Sequence, residues 1–329
     1  DLTSHGVTAL VLADRAAGHD SSDGNWEDTR LYRVRHDPAG INTSLVSERL
    51  SSPELGLNVD APSELNLGSA ATLSAFLDHA ERAYAAEHTA LVIWGHGSGY
   101  RSAGVRAAST LWTTAQHAES PPTAGAAKPD RRPAGTKATS IDDGSGGDAL
   151  LTPELGAALA GREIDVLGLD LCYGASVEII YEVRNEVDLV VASQNVVDRD
   201  GWEYAPLLRR FRDSSRRPQD FAAAAKEEFA RAYESRQGAT ISIVEADRIA
   251  GVHAALNDLS RTLLGWVNTT ERQTQLRTGI FSQVEDFYET PGDLSVDLHH
   301  LGEYVASTVP AAAAEAVAVQ SAVTEAVRD

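Results

Sequence analysis

The sequence predicts an α/β protein whose central, mostly parallel sheet is covered by helices on both faces. Over the first 250 residues or so, short apolar runs alternate with segments of helical periodicity. An alternation of this kind is typical of parallel sheets with helical crossovers. The apolar runs are continuous, as expected for strands buried on both sides. With 329 residues, 43% of them hydrophobic, the chain is long enough to bury such a core.

The predicted elements follow in chain order. Apolar runs predict strands at 7–13, 90–94, 164–169, 188–192 and 240–244. Helical patterns predict helices at 69–86, 175–183, 219–235, 247–264 and 310–329. A further helix is predicted to open at Thr152, with this threonine as the N-cap and Pro153 at the first helical position.

One segment differs from the rest in composition. Residues 109–147 are rich in Ala, Pro, Gly, Ser and Thr and show no apolar periodicity. This composition cannot bury a core and predicts a long mobile loop. We expect one α/β domain at 1–265, which includes this loop, and a helical extension at 266–329 that packs on the same domain.

Charge and residue counts exclude several functional classes. The net charge is −20, from 28 Lys and Arg against 48 Asp and Glu, which disfavours nucleic-acid binding. A single cysteine cannot form an internal disulfide. No apolar run approaches the roughly 20 residues of a transmembrane helix. The sequence begins at Asp1 without a methionine, which predicts a processed form that has lost its targeting segment and is extracellular or in the cell envelope.

Two predicted strand ends carry reactive side chains. Strand 90–94 is followed by Gly95-His96-Gly97, and strand 164–169 by Asp170-Leu171-Cys172. Ligands of open parallel sheets bind at the carboxyl ends of strands. The thiol also precedes a predicted helix, whose dipole would favour a thiolate. A cysteine and a histidine on neighbouring strand ends predict a nucleophile and its base.

Each of these residues also has a structural interpretation. A lone cysteine at a strand end is often a small buried hydrophobic residue. A histidine between glycines can mark a tight turn. Their joint position at two ends of one sheet favours the catalytic interpretation.

The surrounding motifs resemble those of a known peptidase family. His96-Gly97-Ser98-Gly99 follows an apolar strand, and Asp170-Leu171-Cys172 follows another. Further matching segments are 142–146, 151–155, 191–194 and 200–204, the last containing a Gly-Trp-x-Tyr motif. In this order, over about residues 7–265, the sequence resembles the clostripain family (C11) of cysteine peptidases.

The resemblance implies a caspase-like (caspase–hemoglobinase) three-layer fold and hydrolysis of peptide bonds. Cys172 would be the nucleophile and His96 the acid/base, with the backbone N–H groups of Gly97 and Cys172 holding the oxyanion. Asp170 matches the family's S1 acid, which selects Arg or Lys at P1 by charge pairing. The implied substrates are peptides or proteins with Arg or Lys at the cleavage site. Other residues expected in the S1 site are Ser193, Gln194, Asp198 and Asp200.

The resemblance also implies activation by cleavage between His96 and Cys172. The predicted loop lies there, and it offers basic residues to an enzyme that would cut after them. We expect autoprocessing at Lys137, with Arg131 or Arg132 as alternatives. An ordinary flexible insert that any protease can nick would show the same composition.

The chemistry requires no metal or cofactor, although calcium is implied for some relatives. Asp142, Asp143 and Asp148 could offer oxygen ligands in a glycine-rich turn. Their spacing is not that of an EF-hand, which favours a solvated turn over a calcium site. No metalloprotease, P-loop or zinc motif is present in the sequence.

Two other functions remain open from the residues alone. An α/β-hydrolase with a cysteine nucleophile would use His-Gly-Ser-Gly as its oxyanion loop, but it needs a glycine where Asp170 stands. A non-catalytic surface or binding protein could keep the same fold. The presence of both His96 and Cys172 favours the peptidase over this second alternative.

Overall fold

The computed structural model describes residues 6–15, 22–40, 44–99, 138–142, 145–287 and 295–328. Its strands, in chain order, are β1 (Leu10–Ala13), β2 (Arg30–Arg33), β3 (Glu48–Leu50), β4 (Ala90–Trp94), β5 (Ala138–Asp142), β6 (Asp148–Leu151), β7 (Ile164–Asp170), β8 (Val187–Ala192) and β9 (Ser242–Glu245). Its helices are α1 (Ala70–Ala83), α2 (Thr152–Leu159), α3 (Val177–Val183), α4 (Tyr204–Arg212), α5 (Pro218–Ala232), α6 (Ile249–Trp266), α7 (Thr270–Gln283), α8 (Leu298–Thr308) and α9 (Ala313–Ala326).

The central sheet has the strand order β4-β7-β8-β9. β4 and β8 both run parallel to β7, whereas β9 pairs with β8 in the antiparallel direction. The prediction of a mostly parallel sheet is confirmed, with an antiparallel edge strand added. The register places Trp94 opposite Asp170, so the ends of β4 and β7 lie side by side.

Helices cover both faces of this sheet. On one face α1, α2, α3, α6 and α9 pack against a cluster that contains Leu167 and Val190. On the other face α4 and α5 pack against a second cluster that contains Val166 and Val191. Neighbouring residues of one strand point to opposite faces of the sheet, so a continuous apolar run contributes side chains to both hydrophobic clusters.

The C-terminal helices pack on α6 through a third cluster. Leu259 of α6 lies with Val305 of α8 and Val319 of α9 in this cluster. After α9, the N–H of Arg328 donates to the carbonyl of Ile243 at 2.9 Å, so the chain returns to the central sheet. The predicted division between residues 265 and 266 falls at the C-terminal end of α6, and it stays a prediction.

Smaller sheets form outside the centre, and they correct three expectations. The run at 7–13 was predicted as a buried strand, but β1 belongs to a separate antiparallel sheet, β1-β2-β3, and Val11 is 43% exposed. Residues 138–142, predicted as part of a mobile loop, form strand β5 in a hairpin with β6. The N-cap of α2 is Leu151 and not Thr152, because β6 runs directly into the helix, and the side chain of Glu154 accepts the Leu151 N–H at 2.8 Å.

Across the described ranges, no helix is both long enough and apolar enough to cross a lipid bilayer.

Candidate active site

The register of β4 and β7 brings the two predicted strand ends together. Trp94 pairs with Asp170, and His96 and Cys172 each follow at the same offset. Beyond the paired residues, the N–H of Gly95 donates to the carbonyl of Asp170 at 3.4 Å. The two chain segments that carry the thiol and the imidazole therefore leave the sheet as neighbours.

Gly97 shows how closely these segments pack. A Cβ atom at this position would lie 2.5 Å from the Cys172 carbonyl oxygen and 2.6 Å from Cδ1 of Leu171. Gly99 adopts a φ of +62°, and a Cβ there would lie 3.0 Å from Cβ of Tyr173. Because glycine has no Cβ, Gly97 and Gly99 allow the loop that follows His96 to pack directly against the segment that carries Cys172.

Cys172 is the free cysteine of the chain, and it is half-buried. Its thiol donates to the carbonyl oxygen of Val197 at 3.7 Å. Burial raises the pKa of this thiol, and the nearby Asp170 carboxylate acts in the same direction; contacts with the backbone of Val197 and of Cys172 itself act in the opposite direction. The thiol is thus protonated at neutral pH.

The helix expected directly after the cysteine begins later along the chain. The helix α3 begins at Val177, with Ser176 as its N-cap, and not directly after the cysteine. Between them, Tyr173 adopts a φ of +59°, and its N–H donates to the carbonyl of Asn195 at 3.1 Å. A helix dipole acts mainly within its first turn, and Cys172 lies five residues before Val177 along the chain.

Asp170 ends β7 and is 1% exposed. Its Oδ2 atom accepts hydrogen bonds from the Trp202 N–H at 2.9 Å and from the Tyr204 hydroxyl at 2.7 Å. Its Oδ1 atom is buried and has no hydrogen-bond partner among the described residues. Burial raises the pKa of this carboxyl group, and the hydrogen bonds from Trp202 and Tyr204 partly oppose the rise.

A glycine and an indole complete the surroundings of Asp170. Gly201 has a φ of +62°, and a Cβ there would lie 2.6 Å from Oδ2 of Asp170 and 2.8 Å from Nε1 of Trp94. Trp94 is the last residue of β4, and it is 62% exposed. An open aromatic surface therefore stands beside the buried carboxylate.

The other residues predicted for substrate binding are placed less uniformly. The Ser193 hydroxyl is buried, donates to the carbonyl of Asn195 and meets the Thr240 hydroxyl, so it is engaged in the turn after β8. Gln194 is half-buried beside it. Asp198 forms an ion pair with Arg236, and Asp200 is exposed.

The acidic residues considered for calcium hold the loop around the β5–β6 hairpin. Oδ2 of Asp142 accepts the Leu67 N–H at 2.8 Å and its Oδ1 accepts the Ser145 N–H at 3.0 Å. Oδ2 of Asp148 accepts from the Asn66 amide at 2.5 Å. In the part of the chain that the structure describes, no three Asp, Glu, His or Cys side chains are placed to hold a metal ion.

Some predicted residues lie outside the described part of the chain. They are the calcium candidate Asp143 and the processing candidates Arg131, Arg132 and Lys137.

The arrangement suits attack by the thiol on an electrophilic carbon next to a cation-binding group. A thiol and an imidazole share one edge of the sheet, and a buried carboxylate at the end of β7 lies two residues before the thiol along the chain. Sequence reasoning did not assign a role to Trp202 or Tyr204. The Gly-Trp-x-Tyr motif marked these residues in the sequence, but a motif does not reveal which side chain they contact in the fold.

Comparison with known proteins places these features in a family. The model of the peptidase C11, clostripain family matches residues 33–114 and 124–327. Among curated proteins, none matches the sequence at a significant level.

Solved structures show the same fold at low sequence identity. A secreted C11 cysteine protease from Bacteroides thetaiotaomicron, in complex with an irreversible peptide inhibitor, aligns with a TM-score of 0.61 and 17% identity, over 98% of this chain and 73% of that chain. An inactive zymogen C11 protease from Parabacteroides distasonis aligns with a TM-score of 0.59 and 18% identity, over 93% of this chain and 70% of that chain. The caspase-like fold predicted from the sequence is thereby confirmed.

Proposed function

Because the chain belongs to the clostripain family of cysteine peptidases, we propose that it is an endopeptidase that cleaves after Arg or Lys, with Cys172 as nucleophile and His96 as acid/base. The observation that carries this proposal is the parallel pairing of Trp94 with Asp170, from which both reactive side chains follow at equal offset. Membership of this family leaves the α/β-hydrolase alternative without support.

In the proposed reaction, Sγ of Cys172 attacks the carbonyl carbon of the scissile peptide bond. The thiol proton leaves through His96, which delivers it to the departing amine as the C–N bond breaks. The backbone N–H groups of Gly97 and Cys172 stabilise the oxyanion of the tetrahedral intermediate. The acyl group remains on Sγ of Cys172 as a thioester. A water molecule attacks the thioester carbon while His96 accepts a proton from the water. The C–S bond then breaks, and His96 returns the proton to Cys172. Because burial raises the pKa of Cys172, the thiol needs a base to accept its proton, which is the role proposed for His96.

Asp170 is the proposed selector of the P1 residue. Its carboxylate lies on the strand that delivers the nucleophile, and its Oδ1 atom has no partner within the described ranges. A buried acceptor of this kind is strongly stabilised by a cationic side chain and poorly by a neutral one. Ser193, Gln194, Asp198 and Asp200 are proposed to surround this site, with Asp198 contributing little charge because Arg236 pairs with it.

Hydrolysis of fluorogenic peptides that differ only at P1 tests this function. We expect cleavage with Lys or Arg at P1, little with norleucine or Asp, and none by Cys172→Ala. Asp170→Asn should remove the preference for Lys over norleucine while leaving some cleavage. Adding calcium or a chelator to the same assays tests the calcium requirement. Equal cleavage after Lys and norleucine by the wild type would contradict the role of Asp170, and activity of Cys172→Ala would contradict the nucleophile.

We also propose that the enzyme is bacterial, acts outside the cell or in its envelope, and activates itself by cleavage at Lys137, Arg131 or Arg132. One of the similar proteins is described as secreted, which supports the proposed location. Another is described as an inactive zymogen, which supports activation by cleavage. Mass spectrometry of purified wild type and Cys172→Ala tests self-cleavage. A cut that appears in the wild type alone is expected, and the same cut in both proteins would exclude autoprocessing.

A further inference from the structure

The two oxygen atoms of the Asp170 carboxylate have different surroundings. Oδ2 accepts two hydrogen bonds, from the Trp202 N–H and the Tyr204 hydroxyl. Oδ1 accepts none from the described residues, although the residue is 1% exposed. A buried acceptor without a partner is costly unless a ligand supplies the donor.

The two donors on Oδ2 are held in place by packing. The Trp202 side chain is 3% exposed, and its indole lies so close to Gly168 of β7 that a Cβ there would be 2.9 Å from it. The Tyr204 ring lies 6.4 Å from the Trp202 ring, and the Tyr204 N–H donates to the Trp202 carbonyl at 2.9 Å. The pKa of Tyr204 is raised by burial and by Asp170, so its hydroxyl stays protonated and acts as a donor.

We propose that Tyr204 is a positioning residue for P1 selection: with the Trp202 N–H it occupies Oδ2 of Asp170 and directs Oδ1 alone toward the cationic P1 side chain. Loss of its hydroxyl removes a donor that favours the ionised carboxylate and allows the carboxylate to rotate. This inference rests on the proposed function, because it assumes that Asp170 binds P1.

The geometry also sets how P1 is bound. A guanidinium gains most from a carboxylate when both oxygens accept its two parallel N–H groups. Here only one oxygen is available, so Arg loses that advantage over the single ammonium group of Lys. We therefore expect the wild-type enzyme to cleave after Lys and after Arg with specificity constants within about tenfold of each other.

The test compares Tyr204→Phe with the wild type on peptides with Lys, Arg or norleucine at P1. For Lys at P1 we expect kcat/KM to fall about tenfold, mainly through KM, as expected for loss of a hydrogen bond to a charged group. For norleucine we expect a change of no more than about twofold. Tyr204 as a residue is 36% exposed, although its hydroxyl meets the buried Asp170 carboxylate. Thermal unfolding and circular dichroism of each variant therefore accompany the kinetics, to show that the variant is folded.

Tyr233→Phe is the matched control. Tyr233 follows α5, and its hydroxyl donates to the carbonyl of Gly201 at 2.8 Å. This variant therefore removes a tyrosine hydroxyl that bonds the same loop but makes no hydrogen bond to Asp170. We expect it to keep the wild-type preference for Lys. If Tyr204→Phe lowers cleavage after Lys and norleucine equally, or if Tyr233→Phe behaves in the same way, the role is structural and the inference is wrong.

Asp170→Asn separates this inference from the function on which it depends. If Asp170→Asn abolishes the preference for basic P1 residues while Tyr204→Phe keeps it fully, Asp170 selects P1 and Tyr204 does not position it. If the wild type shows no preference for basic residues, or Asp170→Asn retains that preference, the proposed function itself fails and the inference fails with it.

Discussion

Substituting Gly97 with alanine tests the close approach of the His96 loop to Cys172. The added Cβ would lie 2.5 Å from the Cys172 carbonyl oxygen, whereas ordinary van der Waals contacts begin near 3.4 Å. The two segments must therefore separate by about 0.9 Å, and the contact is with backbone, which gives little. Since misplacement by about 1 Å can cost roughly 100-fold in rate, we expect kcat/KM to fall by about that factor.

Two measurements on Gly97→Ala separate a displaced loop from an unfolded protein. Peptide hydrolysis with Lys at P1 gives kcat/KM, and alkylation of Cys172 by iodoacetamide reports whether the thiol remains reactive. We expect hydrolysis to fall far more than alkylation, because the substitution moves the imidazole and the proposed oxyanion donor relative to a thiol that is still present. Circular dichroism confirms that the variant is folded.

Gly251→Ala is the control for the added methyl group. Gly251 lies on the exposed surface of α6, and a Cβ there would meet nothing within 4 Å. We expect wild-type activity from this variant. Wild-type kcat/KM and an unchanged unfolding midpoint for Gly97→Ala would refute the reasoning, because the loop could then not lie against Cys172.

Three further predictions concern the same edge of the sheet. Because burial raises the pKa of Cys172, the rate of its alkylation should climb with pH through and beyond the usual range of a thiol; a rate that is constant from pH 5 to 8 would contradict this. Burial raises the pKa of Asp170, and only the ionised carboxylate attracts a cation. As the pH is lowered, cleavage after Lys should therefore be lost at a higher pH than it would be with an exposed carboxylate. Cleavage after norleucine should not show this loss. Gly201→Ala should lower the unfolding midpoint more than Gly161→Ala: both glycines have positive φ, which costs about 1 kcal/mol or more in alanine, but only the Cβ at Gly201 meets Asp170 and Trp94. Equal midpoints for the two alanine variants would show that this collision is relieved without cost.

The central sheet could be predicted because its strands are continuous apolar runs. The predicted strands 90–94, 164–169 and 188–192 agree with β4, β7 and β8 to within a residue at either end. Strands β2 and β3, which pair next to the predicted β1, were missed because their sequences are largely polar: β2 is Arg-Leu-Tyr-Arg and β3 is Glu-Arg-Leu. The direction of β9 was not predicted either, since periodicity indicates burial and says nothing of the direction in which a strand runs.

The candidate site, too, could be predicted from the sequence only in part. His96 and Cys172 could be placed together because parallel strands end at a common edge, a rule that needs only the two motifs and their strands. The hydrogen bonds from Trp202 and Tyr204 to Asp170 span more than 30 residues of chain and arise from the turn at Gly201, whose positive φ no local pattern specifies. The thiol's raised pKa likewise depends on burial by the assembled core and not on neighbours in sequence.

The net charge of −20 and the proposed selection of a basic P1 residue are separate effects. Exposed charges are screened beyond about 8 Å at physiological salt, so the surface charge can influence how often basic peptides arrive but not which residue enters the site. Asp198 is already paired with Arg236. Asp170 is buried and less screened, and a single one of its oxygens lacks a partner among the described residues. Replacing this one carboxylate with an amide changes the total charge by a small fraction, yet we expect it to remove the preference, because selection depends on where the charge lies.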